Sequence, residues 1–528
     1  MTIRYAILNI VLPPTANIPD KQMSSLLDEV LDGVEPGLEM VPVVTKLEPP
    51  VLLSIDVGTS GVRAAYFDER GNELNGVKIS RALGQTAFDE LNPKSLVAEV
   101  IEAIDQLLNQ SPAPVKIIAI STFWHSLVGI DSTGELTTSL LTWADTRATE
   151  QAKSLRSQFQ ENEIHLRTGC RFHSSYWPAK LSWLGQTQPK SFAETSHWLG
   201  FAEYLSLRLF GRMQASVSMA SATGLFNQHT CDWDWDFVDA LELDPKSLPP
   251  IMERNQQPSL TEEFNNRWPT LAGAKLAAVI GDGAANNIGG GCSTRNKCAL
   301  MVGTSGAMRV AFRGDPPRSL PSSLWSYRID RQRVVVGGAL SDGGGLYQWL
   351  TESMRIDEDP SVLQAQLAAI DPDSHGLTIL PFWSGERSTG WTGDARGAIL
   401  GLTQETKPVA IVRAALEGIA YRFALIAKAL ETVAPGSTVI ATGNALRSSP
   451  VWPQIIADVL GKPLMFGGTP EASIRGAALL ALEAVGKIGS IEEVSVSVDE
   501  VFEPNMHRHA RYQEAIERQE QFYQKLVG

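Results

Sequence analysis

Val57-Gly58-Thr59-Ser60-Gly61 and Val302-Gly303-Thr304-Ser305-Gly306 are two copies of one pentapeptide in distant parts of the chain. Each copy follows a short apolar run, at 51–55 and 298–302, and precedes another segment of strand character, so both read as turns between paired strands. Glycine lets the backbone approach a ligand closely, and Thr and Ser hydroxyls with neighbouring N–H groups can hydrogen-bond phosphate oxygens. Two such turns facing each other could grip one polyphosphate from both sides. The residue before each copy differs, Asp56 in the first and Met301 in the second, so only one half offers a carboxylate, a hard ligand suited to a magnesium nucleotide. Small-residue hairpin turns also recur by chance. Identical copies in matching strand contexts instead suggest two related halves sharing one nucleotide site.

Outward from the first copy, 51–56 and 61–68 read as a hairpin and 74–80 as a third strand. A helical apolar stripe over 93–109 and a buried strand over 115–121 follow. Antiparallel strands, then a helix, then a parallel strand make an α/β core rather than a sandwich. Helices are expected near 148–162, 177–185 and 203–210, and a strand over 277–280 runs into Gly281-Asp282-Gly283. The second copy repeats the order. Its hairpin over 298–311 and a strand at 333–337 lead to helices at 346–353, 409–433, 452–460 and 474–485, with strands at 377–380 and 438–441. The small-residue stretch at 289–293 is the natural hinge. The expected organisation is therefore an extension over 1–49, a first domain over 50–290 and a second over 291–528. Within the extension, 21–31 has helical spacing and prolines punctuate the rest.

The totals narrow the function. A chain of 528 residues, 43% hydrophobic and 20% charged, has the composition of a soluble multidomain protein. A net charge of -14 argues against a nucleic-acid partner but not against ATP, since anion sites are local. Four cysteines without paired metal-ligand spacing point to a reducing, cytoplasmic setting. No apolar run approaches the roughly 18 residues that span a bilayer. The acid-rich N-terminal stretch makes a poor secretory or transit signal. Composition leaves oligomeric state open, a homodimer included.

Individual residues carry candidate chemistry. Asp282, between glycines at a strand end and at the junction of the halves, could take the proton of a substrate hydroxyl attacking a γ-phosphate, or merely cap the next helix. Arg63 could add charge to the phosphate grip or pair with a surface acid. Trp124 and His125 fall at another carboxyl strand end, where a lone His is as readily structural. Trp143-Ala144-Asp145-Thr146-Arg147 pairs an aromatic with opposite charges, which suits a polyol or a helix start. Gly343, Gly344 and Gly345 with Gln348 open a helix whose N–H groups could meet anionic oxygens, unless the loop simply needs glycine geometry. Thr442-Gly443-Asn444-Ala445 sits at a strand end where α/β folds bind ligands.

Together these residues resemble the FGGY family of carbohydrate kinases, over essentially all of 52–503. The resemblance implies two actin-like, ribonuclease-H-type α/β domains with ATP and sugar in the cleft between them. It places Asp56 with Thr59, Ser60 and Arg63 in the first phosphate motif, with Asp56 as the magnesium ligand, and Gly303 and Thr304 in the second. Gly344 and Gln348 match a nucleotide-contacting stretch, Gly443 and Asn444 the adenosine loop, and Asp282 the catalytic base. Trp124, His125, Asp145, His173 and Lys180 are the implied sugar ligands. Likeness to gluconate kinases rests on Thr168-Gly169-Cys170 with His173, Ala179-Lys180-Leu181, Ser221-Ala222-Thr223-Gly224-Leu225, Gly281 to Asn286, and Gly385-Glu386-Arg387-Ser388 with Gly390-Trp391. It implies phosphorylation of D-gluconate to 6-phosphogluconate, with Lys180, Arg171 or Arg147 meeting the carboxylate. A pentulose such as xylulose or ribulose is the alternative substrate, and a chaperone-like ATP-dependent protein the alternative class. Two departures stand out: Trp124 replaces the Met usual before the His, and Asn444 replaces a glycine.

Overall fold

The computed structural model describes residues 51–528, apart from 59–60, 81–89, 254–255, 357–358, 468–470, 496 and the side chain of Ala278. Thr59 and Ser60 of the first turn, and the expected extension over 1–49 with its helical spacing, lie outside the described residues.

The first apolar run becomes β1 (Leu52–Gly58), where Leu52, Leu53, Ser54 and Ile55 are fully buried. A strand covered on both faces calls for a continuous apolar run rather than alternation, and this one has it. The chain returns as β2 (Gly61–Phe67), which sets Asp56 opposite Arg63, and the largely exposed β3 (Glu73–Ser80) forms the edge. Helix α1 (Pro93–Gln110) starts where the Asn92 side chain accepts from the N–H groups of Lys94 and Ser95, with proline in its first turn. It leads into β4 (Ile117–Thr122), parallel to β1. A long insertion with its own core around Trp177, Trp198, Phe226 and Trp233 comes next. It carries α2 (Trp177–Thr187) and the short α3 (Val217–Ser221). Then β5 (Lys275–Gly281) joins parallel to β4. Among the described residues the first sheet has the order β5-β4-β1-β2-β3.

The single helix expected over 148–162 is two, Thr149–Gln158 and Glu161–Thr168. Phe159 goes extended between them, its ring packing on Phe172 and Phe237, while the Glu161 carboxylate accepts the Phe172 N–H. Aromatic burial there outweighs the continuation of the helix.

Helix α4 (Asp282–Gly289) connects to the second sheet, built from β6 (Lys297–Val302), β7 (Gly306–Arg313), β8 (Trp325–Arg328) and β9 (Arg333–Leu340). After α5 (Gly344–Ser353) and the long α6 (Pro408–Leu430), β10 (Thr438–Thr442) pairs parallel to β6. Further on come α7 (Asn444–Ser448), the helix Val451–Leu460 expected at 452–460, β11 (Leu464–Gly467), α8 (Ala472–Ala484), β12 (Val498–Phe502) and α9 (Met506–Leu526). The order among the described residues is β8-β9-β7-β6-β10-β11-β12. Its antiparallel β6, β7 and β9 followed by parallel β10 and β11 repeat the arrangement of β1 to β5. The strand expected at 377–380 exists, but pairs with Ala398–Leu400 in a separate small sheet.

Helix α8, from the second half of the sequence, packs into the core of the first sheet, and the Ser54 hydroxyl donates to Ile474 O at 2.8 Å. It crosses α4 so closely that a Cβ on Gly476 would lie 1.9 Å from Ala285 O, and one on Gly289 would lie 1.8 Å from Ala472 O. Glycine here permits backbone contact between the two helices. Among the described residues no helix is long and apolar enough to cross a membrane.

Candidate active site

Parallel pairing fixes which residues share the carboxyl end of the first sheet. Asp56 of β1 is level with Ser121 of β4, and Thr122 is level with Gly281 of β5, immediately before Asp282. Two strand spacings, about 10 Å, therefore separate the strand ends that carry the two carboxylates. At that range their mutual repulsion is secondary to burial. Burial pushes the Asp56 carboxyl up to about 7 against the pull of Ser121, with the charges of Asp282 and Glu471 adding to the rise. Burial likewise raises the Asp282 carboxyl, while Arg309, the N–H groups of Gly283 and Trp124, and Arg387 hold it down. The Gly283 N–H donates to Asp282 Oδ1 at 2.8 Å, yet the side chain stays partly exposed to the cleft. Among the described residues, Asp56 Oδ1 and Ser121 Oγ, level on neighbouring strands, are buried polar atoms that meet no partner in normal hydrogen-bond geometry, although the Ser121 hydroxyl is near enough to pull on the carboxyl. A carboxylate oxygen with an unmet hydroxyl beside it suits a hydrated hard cation, so these residues fit magnesium. Arg63 is held by Glu73 and, at 3.1 Å, by Glu471 at the start of α8.

In the second half three loops close on one another. The N–H groups of Gly343 and Gly345 donate to Thr304 O, both at 3.0 Å, and that of Gly344 to Gly303 O at 2.7 Å. The donors that were candidates for anionic oxygens are thus taken by the second turn. The glycines serve close approach, since a Cβ on Gly344 would lie 2.4 Å from that of Ala445. Gly443 has φ 117°, and a Cβ there would fall 2.1 Å from Val302 O. The result is a tight platform of Gly303, Thr304, Gly344, Gly443 and Asn444, with the Thr304 and Asn444 side chains exposed. Gln348 is exposed on α5, bonded to Glu352 at 2.8 Å.

Side chains from both halves gather next to Asp282. The Trp124 ring fills the space that a Cβ on Gly281 would take and donates to Ser218 O at 3.1 Å. His125 sits at φ 66° with Nδ1 2.6 Å from Ala222 O. A carbonyl only accepts, so Nδ1 carries the proton. Burial holds the ring at about 3, hence neutral, leaving Nε2 as an acceptor suited to a sugar hydroxyl. Tyr176, from before α2, and Tyr327 of β8 share a hydrogen bond at 2.6 Å, and both stack edge-on against His125.

Other expected sugar ligands are engaged elsewhere. Lys180 is fully buried and donates to His125 O at 2.6 Å and Thr142 O at 2.7 Å, so it shapes the His125 loop. His173 is buried with its Nε2 3.1 Å from Glu386 O, and its Nδ1 accepts from the Ser175 N–H. It joins the halves and has no nitrogen left for a ligand. Asp145 is clasped by Arg147 through both oxygens, at 3.1 and 2.8 Å.

Two arginines that the sequence did not single out converge on the pocket. Arg309 of β7 lies in a strand that is otherwise apolar and buried up to its exposed last residue Arg313, its Nη2 3.5 Å from Asn286 Oδ1 and its Nη1 2.4 Å from where a Cβ on Gly283 would be. A charge inside such a strand is itself a signal, because buried arginines rarely lack a purpose. Arg387 comes from the Gly385-Glu386-Arg387-Ser388 loop and stacks on Trp143 with its Cζ 4.6 Å from the ring centre.

Two like sheets, a small-residue turn at the end of each, and partly exposed acids at the carboxyl end of one define a two-domain, actin-like kinase. Residues 51–289 match the N-terminal domain of the FGGY family of carbohydrate kinases, and 298–485 match its C-terminal domain. The chain belongs to that family and is a phosphotransferase acting on a sugar. It is 28% identical to a gluconokinase from Bacillus licheniformis over 90% of this chain and 94% of the relative. The gluconate kinase structure from Lactobacillus acidophilus superposes with a TM-score of 0.82 at 27% identity, covering 90% and 98% of the two chains. A ligand-bound xylulose kinase from the same organism superposes with a TM-score of 0.83 at 28% identity and the same coverage.

Proposed function

We propose that this carbohydrate kinase transfers the γ-phosphoryl group of ATP to the terminal hydroxyl of D-gluconate. Asp282 accepts the hydroxyl proton, the oxygen forms a bond to the γ-phosphorus, and the bond from that phosphorus to the bridging oxygen breaks as ADP leaves. Residues 50–290 carry the sugar and the base, and 291–528 carry the nucleotide on the Gly303, Gly344 and Gly443 platform. Magnesium, bound through waters on Asp56, would offset charge on the β- and γ-phosphates. His125 Nε2 accepts from a sugar hydroxyl, while Lys180 and His173 hold the loops that present it.

The observation that carries the acid substrate is Arg387, which bears on Asp282 and, among the described residues, has neither an ion pair nor an acceptor for its buried Nε. An unpaired, desolvated guanidinium is costly, and a substrate carboxylate would offset that cost. Likeness to gluconate kinases supports the same choice, and likeness to a xylulose kinase keeps a pentulose as the competitor. The test is a panel of gluconate, xylulose, ribulose and glycerol with MgATP, detecting the phosphorylated product. Gluconate should give the highest kcat/KM; preference for an uncharged ketose rejects the assignment.

A further inference from the structure

We infer that Arg387 recognises the acid group of the substrate, reading the end of the sugar chain opposite the phosphorylated hydroxyl. The inference rests on the gluconate reading and adds the residue that distinguishes an aldonate from a neutral polyol.

Elimination begins with the cations expected from sequence. Lys180 is committed to two carbonyls, and Arg171 pairs with Glu161 at 2.6 Å and Asn162 at 3.1 Å. Arg147 is divided between Asp145 and Glu90 at 2.8 and 2.9 Å. Arg156 donates to Phe172 O and Trp391 O at 2.7 and 2.8 Å. Each already has its counter-charge or its acceptors, although the Arg171 Nε, like those of Arg309 and Arg387, is buried without a partner among the described residues. Arg309 keeps a buried donor without a partner, but it adjoins Gly283 and Asn286 at the start of α4, beside the base itself. That is the end at which phosphate oxygens arrive.

Arg387 is built differently. The residues on either side of it are fixed. Buried Glu386 accepts from Arg422 and from the Tyr523 hydroxyl, both at 2.7 Å, and Ser388 exchanges hydrogen bonds with the backbone of Ala339 at 2.9 and 3.0 Å. The guanidinium lies over the Trp143 ring and gives one Nη2 hydrogen to Leu340 O at 2.8 Å. Its Nε–H is buried and has no partner among the described residues. A desolvated guanidinium donor held in place without an acceptor is costly unless a ligand completes it. A planar carboxylate is the acceptor whose shape fits the guanidinium edge. Arg387 lies near enough to Asp282 and Arg309 for their charges to act on one another. The two arginines approach from different elements, Arg309 beside Gly283 and Asn286, and Arg387 anchored at Trp143 and Leu340 O.

The test uses a matched pair of substrates, D-gluconate and D-glucitol, which share a carbon chain and differ in a carboxylate against a hydroxymethyl group. Steady-state constants with MgATP, and sugar dissociation constants by calorimetry without nucleotide, are measured for the full-length wild type, Arg387→Gln and Arg387→Lys. Thermal melts check that each variant folds. Arg387→Gln should weaken gluconate about ten- to a hundredfold in KM and dissociation constant, the worth of a charge-assisted hydrogen bond, with glucitol and ATP constants unchanged. Arg387→Lys should fall between, since an ammonium keeps the charge but not the fork. Equal losses on gluconate and glucitol, or a raised KM for ATP, would overturn the role of Arg387 while leaving gluconate as substrate. A wild type that prefers neutral sugars in the panel would overturn both readings.

Discussion

Asp282 has to be ionised to take a proton, yet burial raises its pKa. What keeps it usable is the neighbourhood, above all Arg309, whose own guanidinium burial brings down to about 10. The acidic limb of kcat/KM against pH should therefore report Asp282 and lie above the ordinary carboxylate range. Asp282→Asn should lower kcat by about 10²- to 10⁴-fold, the usual worth of a general base, with nucleotide affinity largely kept. Arg309→Gln removes the largest influence holding the carboxyl down, so its acidic limb should move to higher pH. An unmoved limb in that variant, measured from pH 5 to 9, would detach Arg309 from the base. His125, neutral throughout that range, should contribute no limb of its own. At this scale the sequence was most informative where a residue type sat in an unusual place, as Asp282 does between glycines. Arg309 offered the same kind of signal inside Ala307-Met308-Arg309-Val310-Ala311-Phe312, and Arg387 lay within a quoted motif without a role. What could not be read was the assignment of partners. Lys180 and His173 have the chemistry of ligands, and only packing shows that their nitrogens are already engaged.

Among the elements, strands with continuous apolar runs and helices with clear stripes were legible, as β1, β4, α1 and α6 show. Four-residue β11 and exposed β12 were not, because neither run is long or periodic enough to stand out, and their pairing comes from β10 and from each other. The crossing of α4 and α8 depends on two glycines that no local pattern explains. Gly476→Ala should destabilise the protein by about 1–3 kcal/mol or more, because the intruding methyl meets backbone that has no rotamer to yield. A melting temperature unchanged from wild type would mean that the helices part easily. The loop carrying His125 is held from below by Lys180, whose ammonium burial brings down to about 7. Between pH 7 and the usual lysine range the unfolded chain binds more protons at this site than the folded one. Its contribution to stability therefore rises with pH across that window. In denaturant titrations the stability of wild type relative to Lys180→Met should be greater at pH 9 than at pH 6.5. A reversed or flat difference would place the amine in water.

For the molecule as a whole, the duplicated pentapeptide made two like halves legible, since the same strand order must follow a turn used twice. The exchange of α8 to the first sheet was not legible, because contacts this distant in sequence leave no local trace. That exchange, together with the pocket wall, sets a consequence for turnover. The Tyr176–Tyr327 hydrogen bond, the Arg156 bond to Trp391 O and the His173 contact with Glu386 O all run from the first half to the 322–391 stretch of the second. With His165 Nε2 at Leu324 O, Ser326 on Gln228 Oε1 and Arg328 on Gln228 O, they hold this part of the seam without sugar. Phosphoryl transfer to water needs the base, the nucleotide platform and a positioned nucleophile at once, and a water in place of the sugar lacks the contacts that would position it. Hydrolysis of MgATP alone should then run on the order of a hundredfold slower than sugar phosphorylation. Tyr176→Phe removes the hydroxyl but keeps the ring against His125, so it should raise the KM for gluconate more than that for ATP. Phosphate release without sugar at a rate near that of sugar phosphorylation would show that a water is positioned as well as the sugar hydroxyl.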